Sequence, residues 1–170
     1  MRVGKFEKVS FNNFRNSAVN FGLVLEENDD EIKDIYNGIK IPHRGTSGSA
    51  GYDFSSPFNI ILPHGKTVVI PTGVRVQIDS NWMLQLFPRS SYGFKYRMSL
   101  DNTVGIIDSD YYYADNEGHI MAKITNHGNE TLKIAAGDRF IQGIFIQYGL
   151  AQNDIVDSGK RSGGIGSTGK

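Results

Sequence analysis

Residues 58–87 read FNIILPHGKTVVIPTGVRVQIDSNWMLQLF, four apolar segments of five or six residues separated by PHG, TG and DSN. Segments this short stop before an ordinary helix completes its turns, and the Gly, Pro, Asn and Asp between them are the residues that tight turns require. The same punctuation continues through HIMAKI at 119–124, TLKI at 131–134 and RFIQGIFIQ at 139–147. The pattern predicts an all-β chain closed as a barrel or packed as a sandwich. Upstream, RVGKFEKV at 2–9 alternates loosely and reads as a further strand. After it, Phe11, Phe14 and Phe21 follow at irregular spacing and give no clear period. From Glu26 to Asn37 acidic residues precede Ile32, Ile35 and Tyr36 at helical spacing, with Gly38 as the stop, so one short amphipathic helix is expected. Its charge run reads as a solvated face.

A chain of 170 residues with 39% hydrophobic content is expected to form one domain with a core large enough to stand without disulfides or a structural metal. The absence of cysteine excludes disulfide scaffolds, cysteine-ligated zinc, iron–sulfur clusters and cysteine nucleophiles. Eighteen Lys and Arg balance eighteen Asp and Glu, which argues against a partner wrapped through nucleic-acid phosphates. No apolar run approaches the ~18–20 residues of a membrane span, and the first residues lack a signal-peptide apolar region, so a soluble cytoplasmic protein is expected, with no membrane or nucleic-acid partner. Five glycines fall in the last twelve residues. Residues 1–156 are thus read as the folded domain and 157–170 as a flexible arm that orders on a ligand.

Three stretches could carry chemistry. Gly164 to Lys170, GIGSTGK, satisfies GxxxxGK, but a phosphate-binding P-loop needs a strand before it, a helix after it and a hydroxyl residue following the Lys. What survives is a glycine-dense arm whose Arg161, Ser167 and Thr168 can donate to a polyphosphate. Pro88-Arg-Ser-Ser-Tyr-Gly93 follows an apolar strand, and an Arg with paired hydroxyls suits an anion as well as it suits a plain turn. Asn102-Thr-Val-Gly-Ile-Ile-Asp-Ser-Asp-Tyr111 places Asp108 directly after an apolar strand, where it either orients a water or caps a turn. His43, His64, His119 and His127 have no metal-ligand spacing, and the carboxylates around Asp108 lack the Gly-centred loop of a calcium site.

In order along the chain, these pieces resemble the five motifs of the trimeric dUTPase family, the deoxyuridine triphosphate nucleotidohydrolases. Ala50-Gly-Tyr-Asp-Phe54 resembles the first, Pro88-Arg-Ser-Ser91 the second, Asn102 through Tyr111 the third, Gly137-Asp-Arg-Phe-Ile-Gln142 the fourth and Arg161 through Gly169 the fifth. The resemblance covers residues 41–170, with 2–9 as the family's first strand and about 10–38 as an insertion that could contact a regulatory protein partner. It implies a jelly-roll-like β-barrel with one short helix in that insertion. It further implies a homotrimer whose three active sites are each built from several subunits. The implied reaction is dUTP plus water to dUMP and pyrophosphate, which limits uracil incorporation into DNA and supplies dUMP for dTMP synthesis.

By the same resemblance, Asp108 would activate the water that attacks the α-phosphorus, and Asp53 would anchor the site and the arm. Arg89, Ser90, Ser91 and Gln142 would hold the phosphate chain, with Mg²⁺ held by the triphosphate and water and by no side chain. Asn102, Gly105, Ile106, Ile107 and Met121 would read the uracil edge, and Tyr111 would stack on the deoxyribose. Arg161, Gly164, Ile165, Gly166, Ser167 and Thr168 of the arm would close over the substrate. Two departures resemble the Bacillus-type and phage-type branch: Ile165 stands where the family usually has an aromatic residue over the base, and the third motif is extended through Tyr112, Tyr113 and His119. One of those three is expected to supply the missing aromatic cover. A dCTP deaminase, which shares the fold, would need a glutamate where this chain has Lys123-Ile-Thr-Asn126.

Overall fold

The computed structural model describes residues 1–156, whose regular structure is mostly β-strand, with three short helices. The five-stranded sheet has the order β2-β3-β12-β7-β9, built from His43–Arg44, Tyr52–Ser55, Arg139–Gln147, Trp82–Pro88 and Gly105–Ile107. A three-stranded sheet runs β5-β10-β8, from Thr67–Pro71, Met121–Asn126 and Met98–Leu100. Two pairs complete the fold: β1 (Gly4–Lys8) with β6 (Val74–Ile78), and β11 (Leu132–Ile134) with β4 (Ile60–Leu62). Each apolar segment quoted above becomes a strand. The strands pair antiparallel, mostly with partners far along the chain, such as β1 with β6 and β4 with β11.

The central strand β12 fixes the site. It pairs along its length with β7, from Ile141 opposite Pro88 to Gln147 opposite Trp82. On its other side a register shift between Arg139 and Ile141 sets Gln142 opposite Asp53 of β3. A bulge of this kind re-aims side chains at a sheet's end, and here it gathers Arg139, Gln142 and Asp53 at one corner. Beneath them, Phe54, Leu84, Phe140 and Ile141 are fully buried and hold the corner rigid.

One short helix was expected before residue 40, and there are two. α1 spans Phe11–Asn20 and α2 spans Asp29–Gly38, the latter close to the predicted helix. α1 escaped the sequence reading because its buried positions are Phe14 and Ala18, and alanine carries little hydrophobic signal. Ser10 caps it, its Oγ accepting the Asn13 N–H at 3.2 Å. Phe14 stacks on Phe58 with ring centroids 5.7 Å apart, and Phe14, Ala18 and Ile32 of α2 join the core of the strands. The third helix, α3 (Ser90–Tyr96), occupies the place read as an anion site or a plain turn. No helix among the described residues is long and apolar enough to cross a membrane.

Candidate active site

Asp53 stands in the middle of β3 with its side chain 11% exposed. A carboxylate so enclosed needs partners, and two guanidinium groups supply them: Arg89 Nε lies 3.1 Å from Oδ1 and Arg139 Nη1 3.0 Å from Oδ2. Arg89 leaves the end of β7, its N–H donating to Phe140 O at 3.0 Å, while Arg139 opens β12. Both strands therefore aim a cation at one carboxylate. Gln142 extends beside them, and Gly51 makes room: an added Cβ would meet Gln142 Oε1 at 2.5 Å and displace the amide. With Ser90 and Ser91 these residues line a cavity of about 470 Å³. Its donors outnumber its one carboxylate, so it suits an anion. Lys95 and Lys133 line an adjoining groove that shares Arg89, Ser91 and Arg139 and extends the positive surface.

A second cavity, of about 450 Å³, opens beside β9 and β10. Asn102, Gly105, Ile106, Ile107, Tyr111 and Met121 line it, joined by Phe21, Val69, Leu86, Asp101 and Lys123. β9 is the last strand of its sheet, pairing with β7 through Leu84 to Leu86, so the other rim of its peptide groups is outside the ladder. Met121 pairs with Pro71 on one side, while β8 reaches only Ile124 to Asn126 on the other. An apolar cavity edged by main-chain donors and acceptors fits a flat heterocycle with a polar edge.

Asp108 follows Ile107 directly, exposed in extended conformation, and its carbonyl accepts the Tyr111 N–H at 3.2 Å to start the 3-10 turn Ser109–Tyr113. It lines neither cavity, and the two cavities have no lining residue in common. One chain thus brings Asp53, Arg89, Ser90, Ser91 and Gln142 together in one place and Asn102, Gly105, Ile106, Ile107, Tyr111 and Met121 in another. Arg161, Gly164, Ile165, Gly166, Ser167 and Thr168 lie outside the described residues.

Of the three residues expected to supply aromatic cover, two are engaged elsewhere in this chain. His119 is fully buried, its Nε2 accepting the Gly73 N–H at 2.8 Å. That bond fixes the neutral ring with its proton on Nδ1, which donates to Asn13 Oδ1 at 2.8 Å. Tyr112 donates to Glu7 Oε2 at 2.6 Å and its ring lies 4.2 Å from the Arg75 guanidinium carbon, away from the cavity lining. Tyr113 is 73% exposed and lines neither cavity. The sequence reading missed Arg139, quoted within the fourth motif without a role, and Phe21.

Burial lowers the His119 pKa from 6.5 to about 4, and the nearby Glu117 carboxylate offsets only part of this. The unfolded chain therefore takes up the proton first. Stability is complete above pH 6.5 and falls as pH drops towards 4, by about 2 kcal/mol between pH 7 and 5 from this group. Denaturant unfolding at the two pH values, compared with His119→Gln, should show a smaller acid loss in the variant. An equal loss would place the sensitivity elsewhere.

A grip for anionic groups and an apolar slot edged with peptide groups are features expected of a nucleotide-handling protein. The dUTPase family model matches residues 37–169. The deoxyuridine 5'-triphosphate nucleotidohydrolase of Lactococcus lactis is 39% identical over 134 residues, covering 78% of this chain and 89% of that protein. That of Tolumonas auensis is 37% identical over 143 residues, covering 80% and 91%. The crystal structure of dUTPase from Streptococcus mutans matches with a TM-score of 0.62 at 37% identity, covering 69% of this chain and 91% of that one. A Staphylococcus bacteriophage 80alpha dUTPase mutant with dUpNHpp shares the fold, with a TM-score of 0.64 at 17% identity over 95% of this chain and 100% of that one. This chain belongs to the dUTPase family.

Proposed function

We propose that this protein hydrolyses dUTP to dUMP and pyrophosphate. The observation that carries the reading is the Asp53 corner, where Arg89 and Arg139 are held by one carboxylate within reach of Ser90, Ser91 and Gln142. A triphosphate laid there meets donors already oriented, so little is lost in ordering them when charge shifts along the phosphate chain. Asp108 accepts a proton from the water that attacks the α-phosphorus; the new P–O bond forms as the bond to the β-phosphate oxygen breaks, and pyrophosphate leaves. In this reading Arg161, Ser167 and Thr168 bind the γ-phosphate, and Gly164, Ile165 and Gly166 also contact the substrate.

Asp53 is the one carboxylate lining the phosphate cavity, and both its oxygens face arginines. That donor set fits a Mg²⁺ carried in by the triphosphate and its waters, an ion that would neutralise charge on the phosphate oxygens. In the apolar cavity, the Asn102 amide and the main chain of Ile106, Ile107 and Met121 match the acceptor–donor–acceptor edge of uracil. Cytosine would set its amino group against a donor and leave both unpaired, a mismatch that discriminates strongly. Tyr111 is fixed by its hydroxyl, which donates to His119 O at 2.8 Å and accepts from Asn116 Nδ2 at 2.8 Å. Its ring against the deoxyribose leaves no space for a 2′-hydroxyl.

Because Asp108 and the phosphate grip line no common cavity, the complete site takes Asp108 and the base cavity from one subunit and the grip from another. We read the four sheets as the jelly-roll-like barrel of a homotrimer, with the arm reaching a neighbour. Such a reaction keeps uracil out of DNA and supplies dUMP for dTMP synthesis. Pyrophosphate release with Mg²⁺ should be seen with dUTP and fall by at least about 10³-fold with dCTP, dTTP and UTP. The active species should have the mass of a trimer. Equal turnover of dCTP, or full activity in a monomer, would overturn the reading.

A further inference from the structure

Phe21 reaches the base cavity from a helix that contributes nothing else to the site. Its position is set by how α1 ends. Gly22 N–H donates to Val19 O at 2.9 Å and Leu23 N–H to Ala18 O at 3.0 Å, the paired closure in which the residue after the cap takes a left-handed conformation. Gly22 has φ +68° and open space around a would-be Cβ, so only backbone conformation demands a glycine there. Leu23 packs against the core, which locks the turn. Phe21 is therefore held as the capping residue, its N–H donating to Ser17 O at 3.1 Å.

The helix is also fastened to the connection between β9 and β10. Glu117 accepts from the Ser10 N–H at 2.7 Å and from the Ser10 hydroxyl at 2.6 Å, gripping the start of α1. One turn on, His119 donates to Asn13, and Ser17 Oγ lies 3.3 Å from the same ring nitrogen. The connection that carries Tyr111 thus holds α1 at two points, and α1 carries Phe21 to the cavity. A ring that lines an apolar cavity and is still 42% exposed has a face left for a flat ligand.

We propose that Phe21 is the aromatic residue that packs against the uracil ring, so that α1 acts as a fixed wall of the base pocket. The proposal rests on the dUTP reading above. Its effect falls on ground state and transition state alike, because the base does not change during attack at phosphorus.

The test measures KM and kcat for dUTP in Phe21→Ala, Phe21→Leu and Phe21→Trp, with Mg²⁺. In Phe21→Ala, KM should rise about tenfold while kcat stays within about threefold of the parent, the pattern of lost uniform binding. Phe21→Leu keeps apolar bulk without a flat face and should also bind weakly; Phe21→Trp should restore KM. The preference for dUTP over dCTP should be unchanged in all three, since stacking tolerates any base. Emission of the introduced tryptophan should be quenched by a non-hydrolysable dUTP analogue, measured against the parent chain, whose one tryptophan is Trp82. An unchanged KM in Phe21→Ala with no ligand-dependent quenching overturns the inference. So does a lowered KM, which would make Phe21 a plug of the cavity. A parent chain that turns over no dUTP overturns the functional reading instead, so the two failures are told apart.

Discussion

Asp108→Asn binds a non-hydrolysable dUTP analogue as the parent does, while its pyrophosphate release falls at least 10²-fold, within the ~10²–10⁴ that a positioned general base contributes. The substitution keeps the shape of the side chain and removes its ability to take a proton. Asp108 is exposed at the junction of β9 and the 3-10 turn, outside the buried core, so the fold should be little affected. A thermal melt beside the kinetics separates a lost proton acceptor from a lost structure. Turnover within threefold of the parent, at matched melting temperature, would remove Asp108 from the mechanism.

Asp53→Asn acts differently, because it removes the charge that two guanidinium groups share. Arg89 and Arg139 would then face each other across a neutral amide that cannot accept from both with the same strength. Their side chains are 31% and 43% exposed, so water screens part of the repulsion, and the stability cost should be about 1–3 kcal/mol. Turnover suffers more. The grip is no longer preset, and misplacement of this kind costs on the order of 10²-fold in kcat/KM. Denaturant midpoint and kcat/KM measured together check both parts; a stability loss with kcat/KM intact would make Asp53 a brace of the fold alone.

The strands were legible because each apolar segment between 58 and 147 is bounded by residues that turns require. β2, β3 and β8 were not, since each is a strand of two to four residues with no continuous apolar run to mark it. α1 was hidden because its buried face is only Phe14 and Ala18, and the Glu117 that grips its Ser10 cap is 107 residues away in sequence. The site divides the same way. Residues 102–111 and 88–91 were legible as ordered motifs of a family. Arg139 and Phe21 became visible only through tertiary neighbours, Asp53 lying 86 residues from Arg139 and the cavity drawing Phe21 in from a separate helix. His119 misled because an aromatic ring in an extended third motif reads as a cover, whereas its burial and its hydrogen bonds to Gly73 and Asn13 make it a fastener.

The two cavities have no lining residue in common, and in the trimer proposed above that separation governs how defects are inherited. A chain damaged at the phosphate grip still offers its neighbours a sound base cavity and Asp108, and a chain damaged at Asp108 still offers a sound grip. Two different faulty copies, mixed in one assembly, hold a full set of parts between them. Two copies of the same fault do not.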